Sequence, residues 1–165
     1  MFKQDIEFYN PTTLKSYNLN DSMRYQLNML ENLDMITSKH CENVANLTCR
    51  MCEYLHMSRI FTINATLCAY LHDIGKIYIP QEILKKPAAL TDEEYEIMKT
   101  HTTIGYNICM KDIKLRPYAG GALYHHENLD GSGYPFRINK KRDSILCTDN
   151  PYSWCVWCYS KQKTL

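Results

Sequence analysis

Two adjacent histidines, His125 and His126, open an acidic, glycine-rich stretch in the C-terminal half of the chain. The stretch is His-His-Glu-Asn-Leu-Asp-Gly-Ser-Gly-Tyr-Pro and ends at Pro135. Imidazoles and carboxylates at this density suit a divalent metal ion, and glycines let the backbone approach a ligand closely. We therefore predict a metal site here, with further ligands supplied from upstream.

Three upstream stretches carry residues of the same kind. His40 and His101 lie on expected helix faces, and His72-Asp73-Ile74-Gly75-Lys76 follows an apolar helix. One core histidine, or a His-Asp pair at a helix end, is ordinary structure, but their recurrence favours a metal site. Lys76 is placed to direct a cation at an anionic ligand. The candidate metal ligands are His40, His72, Asp73, His101, His125 and His126.

This donor set is large enough for most of the coordination of two divalent ions. Mixed imidazole and carboxylate ligands suit iron or manganese, with zinc also possible. Two ions ~3.5–4 Å apart can stabilise both the attacking and the leaving oxygen of a phosphodiester. The residue types therefore point to metal-dependent phosphodiester chemistry.

Cap residues and apolar spacing predict the helices that position these ligands. We expect Ser38 to cap the second helix, Gly75 to end the third, and Thr91 with Glu94 to form a capping box at the fourth. The expected helices cover 21–36, 38–56, 62–73 and 91–109, with a short turn at 80–84 and a last helix from Pro117.

The same spacing predicts the buried face of each helix. His40 and His101 fall on two of these faces, which places both imidazoles toward the interior. The expected inward residues are Val44, Leu47, Met51 and Leu55 in the second helix, Ile97, Ile104 and Ile108 in the fourth, and Ala119, Ala122, Leu123 and His126 in the last.

Length and composition limit the class of protein. A chain of 165 residues is one domain by length and can build a core. A formal net charge of +1 gives no reason to expect nucleic acid or an anionic membrane as partner. No signal peptide is visible and no apolar run approaches the ~18 residues of a membrane helix, so we predict a cytoplasmic protein.

The chain has eight cysteines, including two Cys-x-x-Cys pairs, Cys49 with Cys52 and Cys155 with Cys158. Together these pairs could form a four-cysteine zinc site. The first pair, however, falls in the middle of an expected helix. We therefore favour the cysteines as small buried apolar residues.

The order of these motifs along the chain resembles that of the HD-GYP domain. The motifs are His40, His72-Asp73-Ile74-Gly75-Lys76, His101, His125-His126-Glu127 and the loop Asp130–Pro135. This domain is a branch of the HD metal-dependent phosphohydrolases, and the resemblance covers about residues 38–136. It implies an all-α helical bundle around a metal site. It also implies a phosphodiesterase that degrades the bacterial messenger cyclic di-GMP in signal transduction.

The resemblance carries roles over to individual residues. It implies that the six candidate ligands bind metal, that Asp73 bridges the ions as a catalytic residue, and that Lys76 contacts the substrate phosphate. Some members have a glutamate where this chain has Ile36, supporting a third ion, so we expect two ions here. The residues implied to lie near substrate, in a loop linked to protein partners, are Asp130, Gly131, Gly133, Tyr134 and Pro135.

Two other functions stay open. One is an HD hydrolase that acts on a different cyclic dinucleotide or nucleotide. The other is a module that binds partners through Tyr134 and Pro135 without catalysis.

The segment after the loop departs from the family pattern. The family continues with an Asp-x-x-Asp-Ala ligand motif and a basic segment, and neither follows Pro135. We divide the chain into a leader, an incomplete HD-GYP domain and an aberrant tail that is out of frame. Losing a ligand should impair hydrolysis. The three segments are residues 1–20, 21–139 and 140–165.

The out-of-frame hypothesis has a specific basis in the tail. With suitable codons, a one-base shift from Arg142 turns Trp154 and Trp157 into glycines at the family's two aspartate positions. If UGA encodes the tryptophans, both positions become aspartate. The nucleotide sequence decides, because the idea is wrong if no displaced frame encodes that motif.

Overall fold

The computed structural model describes residues 21–128 and 130–138, which fold as a bundle of helices. These residues contain no β-strand, so the predicted all-α class is confirmed. None of their helices is both long and apolar enough to cross a bilayer. The predicted leader and tail lie outside the described residues. The α-helices are α1 (Asp21–Leu33), α2 (Met35–Tyr54), α3 (Arg59–Leu71), α4 (Gln81–Leu84), α5 (Asp92–Lys99), α6 (His101–Lys111) and α7 (Ala119–Tyr124).

Two 3₁₀ helices complete the described elements, Ile74–Tyr78 after α3 and Arg116–Tyr118 before α7. α2 packs along α3, and α6 packs along both α7 and the first 3₁₀ helix. The core fills the space between these elements, with Leu30, Leu71 and Leu115 among its fully buried side chains. The candidate ligands therefore come from elements that pack directly on one another.

The boundary between α1 and α2 differs from the prediction. α1 ends at Leu33, and Asp34, not Ser38, is the N-cap of α2. The Asp34 carboxylate accepts hydrogen bonds from the amides of Ile36 (3.1 Å) and Thr37 (3.2 Å). These amides have no intrahelical acceptor, and aspartate satisfies them as well as serine does. A break thus falls inside the range predicted as one helix.

The buried face of α2 also differs from the prediction. Val44 is buried, but Leu47 and Leu55 are exposed and Met51 is only partly buried. The helix packs against α3 through its small residues, because short side chains allow the two helices to approach closely. The buried residues of α2 are Thr37, Ser38, Cys41, Glu42, Val44, Ala45, Thr48, Cys49 and Cys52.

α3 ends at Leu71, two residues before the predicted end, and Gly75 lies inside the 3₁₀ helix that follows. Gly75 therefore does not stop the helix. Its function is close packing, since a Cβ there would lie 1.9 Å from the His101 carbonyl oxygen and 2.6 Å from the Gly105 amide nitrogen. The missing side chain lets the segment after His72 lie directly against the start of α6.

The predicted fourth helix is two helices that meet at Thr100. Its start is as predicted, since Thr91 and Glu94 form the capping box. The break is explained locally, because the Thr100 hydroxyl donates to the Ile97 carbonyl at 2.6 Å and competes with the helical backbone pattern.

The face of α6 that packs inward carries His101, Thr102, Gly105 and Cys109. The isoleucine stripe was therefore the wrong face, as Ile97 is exposed and Ile104 and Ile108 are only partly buried. In the last helix, Ala119, Ala122 and Leu123 are buried as predicted, but His126, also predicted to face inward, follows the helix and is exposed.

The cysteines of the described region are free thiols in the interior, as predicted for small apolar residues. Burial raises the pKa of Cys49 to about 11 and that of Cys68 to about 12, so these thiols stay protonated. Cys155 and Cys158 lie outside the described residues, so the four-cysteine alternative stays untested. The buried thiols are Cys41, Cys49, Cys52, Cys68 and Cys109.

Candidate metal centre

The buried carboxylate of Asp73 lies between two groups of basic side chains. Its Oδ1 is 3.3 Å from Nε2 of His101 and 3.6 Å from Nε2 of His125. Its Oδ2 is 3.2 Å from Nε2 of His72 and 2.8 Å from Nζ of Lys76. One oxygen therefore serves each group, which is the arrangement a carboxylate needs to join two neighbouring cation sites.

Three of the imidazoles are oriented by the same kind of hydrogen bond. Nδ1 of His72 lies 2.6 Å from the carbonyl oxygen of Ala69, which is three residues earlier in the chain. His101 and His125 repeat this contact with the carbonyls three residues before them, at 2.7 Å and 3.0 Å. Each carbonyl lies in the last turn of a helix, where intrahelical donors run out.

These contacts also fix the tautomers. A nitrogen this close to a carbonyl oxygen must carry the hydrogen, so Nδ1 donates in all three rings. In a neutral ring Nε2 then keeps its lone pair, and all three Nε2 atoms face Asp73. In metal-binding histidines, one ring nitrogen usually donates a hydrogen bond in this way and leaves the other free to bind the metal.

The His101 and His125 Nε2 atoms are only 3.0 Å apart. With both Nδ1 atoms protonated, two neutral rings would place their lone pairs against each other, which is unfavourable. A cation bound by both nitrogens removes that repulsion. The donor set therefore fits a divalent cation on this side of Asp73.

The two remaining predicted ligands complete the two groups. His126 follows His125, with ring centroids 4.2 Å apart, and joins the group of His101 and His125. The His40 ring centroid lies 5.4 Å from that of His72, and His40 forms the second group with His72 and Asp73. The candidate donor atoms within each group lie within 4.8 Å of one another. All six predicted ligands are thus brought together.

The surroundings of these side chains shift their pKa values toward the protonation states in which they can bind a metal ion. Burial by itself would raise the pKa of Asp73, but a positive charge on His72, followed by hydrogen bonds from His101 and His125 whenever their Nε2 atoms carry a proton, holds that pKa well below its usual value. Burial lowers the pKa of His125 to about 4, and it lowers that of His126 further, with His125 and His101 adding to the effect. Near neutral pH the Asp73 carboxylate is therefore ionised and the imidazoles of His125 and His126 are neutral, as metal binding requires.

The Gly-Tyr-Pro loop lies against the histidine turn. A Cβ on Gly133 would lie 2.3 Å from the Asn128 amide nitrogen, so only glycine permits this approach. The Tyr134 amide donates to the His126 carbonyl at 3.2 Å, and the two rings stack. The loop therefore lies against the candidate metal centre through Tyr134, and its predicted place near a substrate stays a prediction.

The other loop residues have local contacts. Oδ1 of Asp130 accepts from the Ser132 amide (2.9 Å) and hydroxyl (2.6 Å), which shapes the turn. Gly131 has a φ of 81°, in the left-handed region that suits glycine. Pro135 follows Tyr134 and is partly buried. These three residues are not among the candidate donors found in the described part of the chain.

Sequence reasoning missed the role of Glu127, although it lies in the motif. This buried carboxylate accepts hydrogen bonds from the amides of Phe136 and Ile138. It ties the end of the loop to the histidine turn. An acid directly after two ligands was the available signal, but its partners lie nine and eleven residues away and cannot be identified from spacing.

A family model described as an HD domain matches residues 19–146. The chain belongs to the HD domain family. The prediction of the family from the ordered histidine motifs is therefore confirmed.

Several curated proteins are similar to this chain. A cyclic di-GMP phosphodiesterase of Thermotoga maritima is 52% identical over 122 residues, which is 72% of this chain and 33% of that protein. The cyclic di-GMP phosphodiesterase response regulator RpfG of Xanthomonas campestris is 38% identical over 108 residues, covering 64% of this chain and 29% of that protein.

A 3'3'-cGAMP-specific phosphodiesterase of Vibrio cholerae is 34% identical over 110 residues, covering 67% of this chain and 24% of that protein. The chain thus spans about a quarter to a third of the length of these curated relatives.

Proposed function

We propose that this chain carries the active site of a metal-dependent phosphodiesterase that hydrolyses cyclic di-GMP. The observation that carries the proposal is the division of the Asp73 carboxylate between two groups of histidines, one group on each oxygen. Two relatives named cyclic di-GMP phosphodiesterases support the substrate.

The residues of this chain would hold two divalent cations. His101, His125 and His126 would bind one, and His40 with His72 the other, with Asp73 shared between them. Donors of nitrogen and oxygen favour iron or manganese and also permit zinc. Bound ions of this kind offset phosphate charge and lower the pKa of water.

Asp73 and Lys76 have separate tasks in this proposal. Asp73 is ionised and holds both groups of imidazoles in register through its two oxygens. Nζ of Lys76 lies 2.8 Å from Asp73, and its side chain is 21% exposed, so it can also donate to a phosphate oxygen. It would thus orient the phosphodiester and stabilise the added negative charge of the transition state.

The nearby loop would border the bound dinucleotide through Asp130, Gly131, Gly133, Tyr134 and Pro135. A protein partner at this loop and a cytoplasmic location stay predictions. So do the segment boundaries and the out-of-frame tail, for which the nucleotide sequence is the test. We propose that hydrolysis by this chain is weak, because the Asp-x-x-Asp-Ala motif is missing after the loop in the sequence as written.

A second candidate substrate is another cyclic dinucleotide. The Vibrio cholerae relative named as specific for 3'3'-cGAMP favours it, since that protein is 34% identical over two thirds of this chain. A binding module without catalysis is the third candidate.

The test is single-turnover hydrolysis by the Mn²⁺-loaded or Fe²⁺-loaded chain, with the products separated by chromatography. We expect slow, chelator-sensitive loss of cyclic di-GMP, and none with Asp73→Asn. Asp92→Asn, the same change at an exposed position in the first turn of α5, is the matched control and should leave the rate unchanged.

Other outcomes separate the candidates. Faster loss of 3'3'-cGAMP than of cyclic di-GMP would replace the proposed substrate. Binding of cyclic di-GMP with no metal-dependent product would replace the enzyme with a binding module.

A further inference from the structure

His126 is held differently from the other candidate ligands of its group. His101 and His125 each donate an Nδ1 hydrogen bond to a backbone carbonyl. Within the described residues the ring of His126 has no such bond, because it follows the last helical turn by one residue more. The carbonyl hydrogen bond that orients His101 and His125 therefore does not orient His126.

The His126 ring instead lies on the face of Tyr134. The two ring centroids are 4.5 Å apart and the planes are inclined by 19°, which is a stacked arrangement. On another side, the ring meets His101 nearly edge-on, at 5.2 Å and 88°. The residue is exposed overall, and its ring contacts the rings of Tyr134, His101 and His125.

Tyr134 is itself fixed by contacts that do not involve a metal ion. Its amide donates to the carbonyl of His126, and Gly133 packs against the backbone at Asn128. Beyond Pro135, Glu127 accepts from two amides and closes the loop back on the histidine turn. These contacts fix the backbone position from which the tyrosine ring projects, and from there the ring stacks on the imidazole of His126.

We propose that Tyr134 is a positioning residue for His126, whose ring it orients toward the cation site shared with His101 and His125. The aromatic face takes the place of the carbonyl hydrogen bond that orients the other two rings. This inference rests on the proposed metal-dependent function, and its readout is metal affinity, which is independent of turnover.

The expected effect follows from the strength of aromatic stacking. A stacked pair contributes about 0.5–1.5 kcal/mol beyond its buried area, which corresponds to about a two- to twelvefold change in affinity. The effect should fall mainly on one ion, because the candidate ligands whose rings Tyr134 contacts, His101 and His126, belong to the same group.

The test is calorimetric titration of the metal-free chain with Mn²⁺, with Tyr134→Leu and Tyr134→Phe. We expect Tyr134→Leu to weaken one of two binding events about two- to twelvefold, and Tyr134→Phe, which keeps the ring, to stay within twofold. Tyr95→Leu is the matched control. Its ring lies 6.4 Å from Tyr134 but is not paired with His126, so both affinities should persist.

A double-mutant cycle with His126→Ala separates positioning from general loosening. In that background Tyr134→Leu should have no further effect, because the ring that it positions is gone. Urea unfolding of each variant checks that the fold persists.

The proposal is overturned by an unchanged Tyr134→Leu titration, by equal weakening of both ions, or by an equal loss with Tyr134→Phe. It is also overturned if the two substitutions are additive in the cycle. Metal binding as expected together with no hydrolysis would reject the proposed enzyme and leave the positioning role in place.

Discussion

Replacing Gly75 with alanine should separate the two halves of the metal centre. A Cβ at this position would lie 1.9 Å from the carbonyl oxygen of His101, a backbone atom of a candidate ligand. Ordinary contact begins near 3.4 Å, so the first 3₁₀ helix and the start of α6 must move apart by roughly 1.5 Å. Asp73, two residues before Gly75, must move with its helix.

Two losses follow from this displacement. Overpacking against a rigid backbone typically costs about 1–3 kcal/mol, and the upper end is expected because no flexible side chain can yield. The Asp73 to His101 separation of 3.3 Å would also widen beyond what one ion can span. We expect metal affinity to fall at least ~10–100-fold, the range for milder changes around a ligand.

Urea unfolding of the metal-free protein and Mn²⁺ titration measure these losses separately. Gly105→Ala is the matched control in the same interface, where the nearest atom to a new Cβ is the Ala122 side chain at 3.1 Å. The higher helix propensity of alanine offsets part of that contact, so a change within about 1 kcal/mol is expected. If Gly75→Ala matches wild type in urea midpoint and Mn²⁺ affinity, the close approach is not what assembles the centre.

Two further perturbations test the surroundings of the site. Glu127→Ala should lower the free energy of unfolding by about 2–5 kcal/mol, because two amides, of Phe136 and Ile138, lose their acceptor. Urea unfolding checks this, with exposed Glu96→Ala expected within about 0.5 kcal/mol. Metal-free protein should also lose stability as pH falls from about 6.5 to 4, since burial lowers the pKa of His125 to about 4 and the unfolded chain takes up the proton first. A urea midpoint that is flat across this range would contradict the inferred burial.

Residue order alone predicted the start of α5 and the set of side chains that lie together around Asp73. The capping box of Thr91 and Glu94 is a local pattern whose partners lie three residues apart, so it can be recognised without the fold. The break at Asp34 shows the limit of this reasoning, because both Asp34 and Ser38 are good caps. Nothing local decides which of two adequate caps begins the helix.

The buried faces of α2 and α6 could not be predicted from apolar spacing, and α2 shows why. Large side chains such as Leu47 and Leu55 fit the helical period but face outward. The packed face of α2 carries Ala45 and Cys49 instead, opposite a helix that also buries small residues such as Ala69. Close helix packing selects for small volume, and a pattern based on hydrophobicity selects for large volume.

The metal centre combines one property that is local with one that is not. The orientation of His72, His101 and His125 is set within a single turn, by the carbonyl three residues earlier near the end of a helix. Their convergence on Asp73 depends on distant packing, and at Gly75 that packing tolerates no added atom. Because each ring is oriented by its own helix end, its orientation does not depend on the other segments. Assembly of the candidate site then requires only that a few rigid segments pack correctly. Substitutions at the docking contacts should therefore impair metal binding as strongly as substitutions of a ligand.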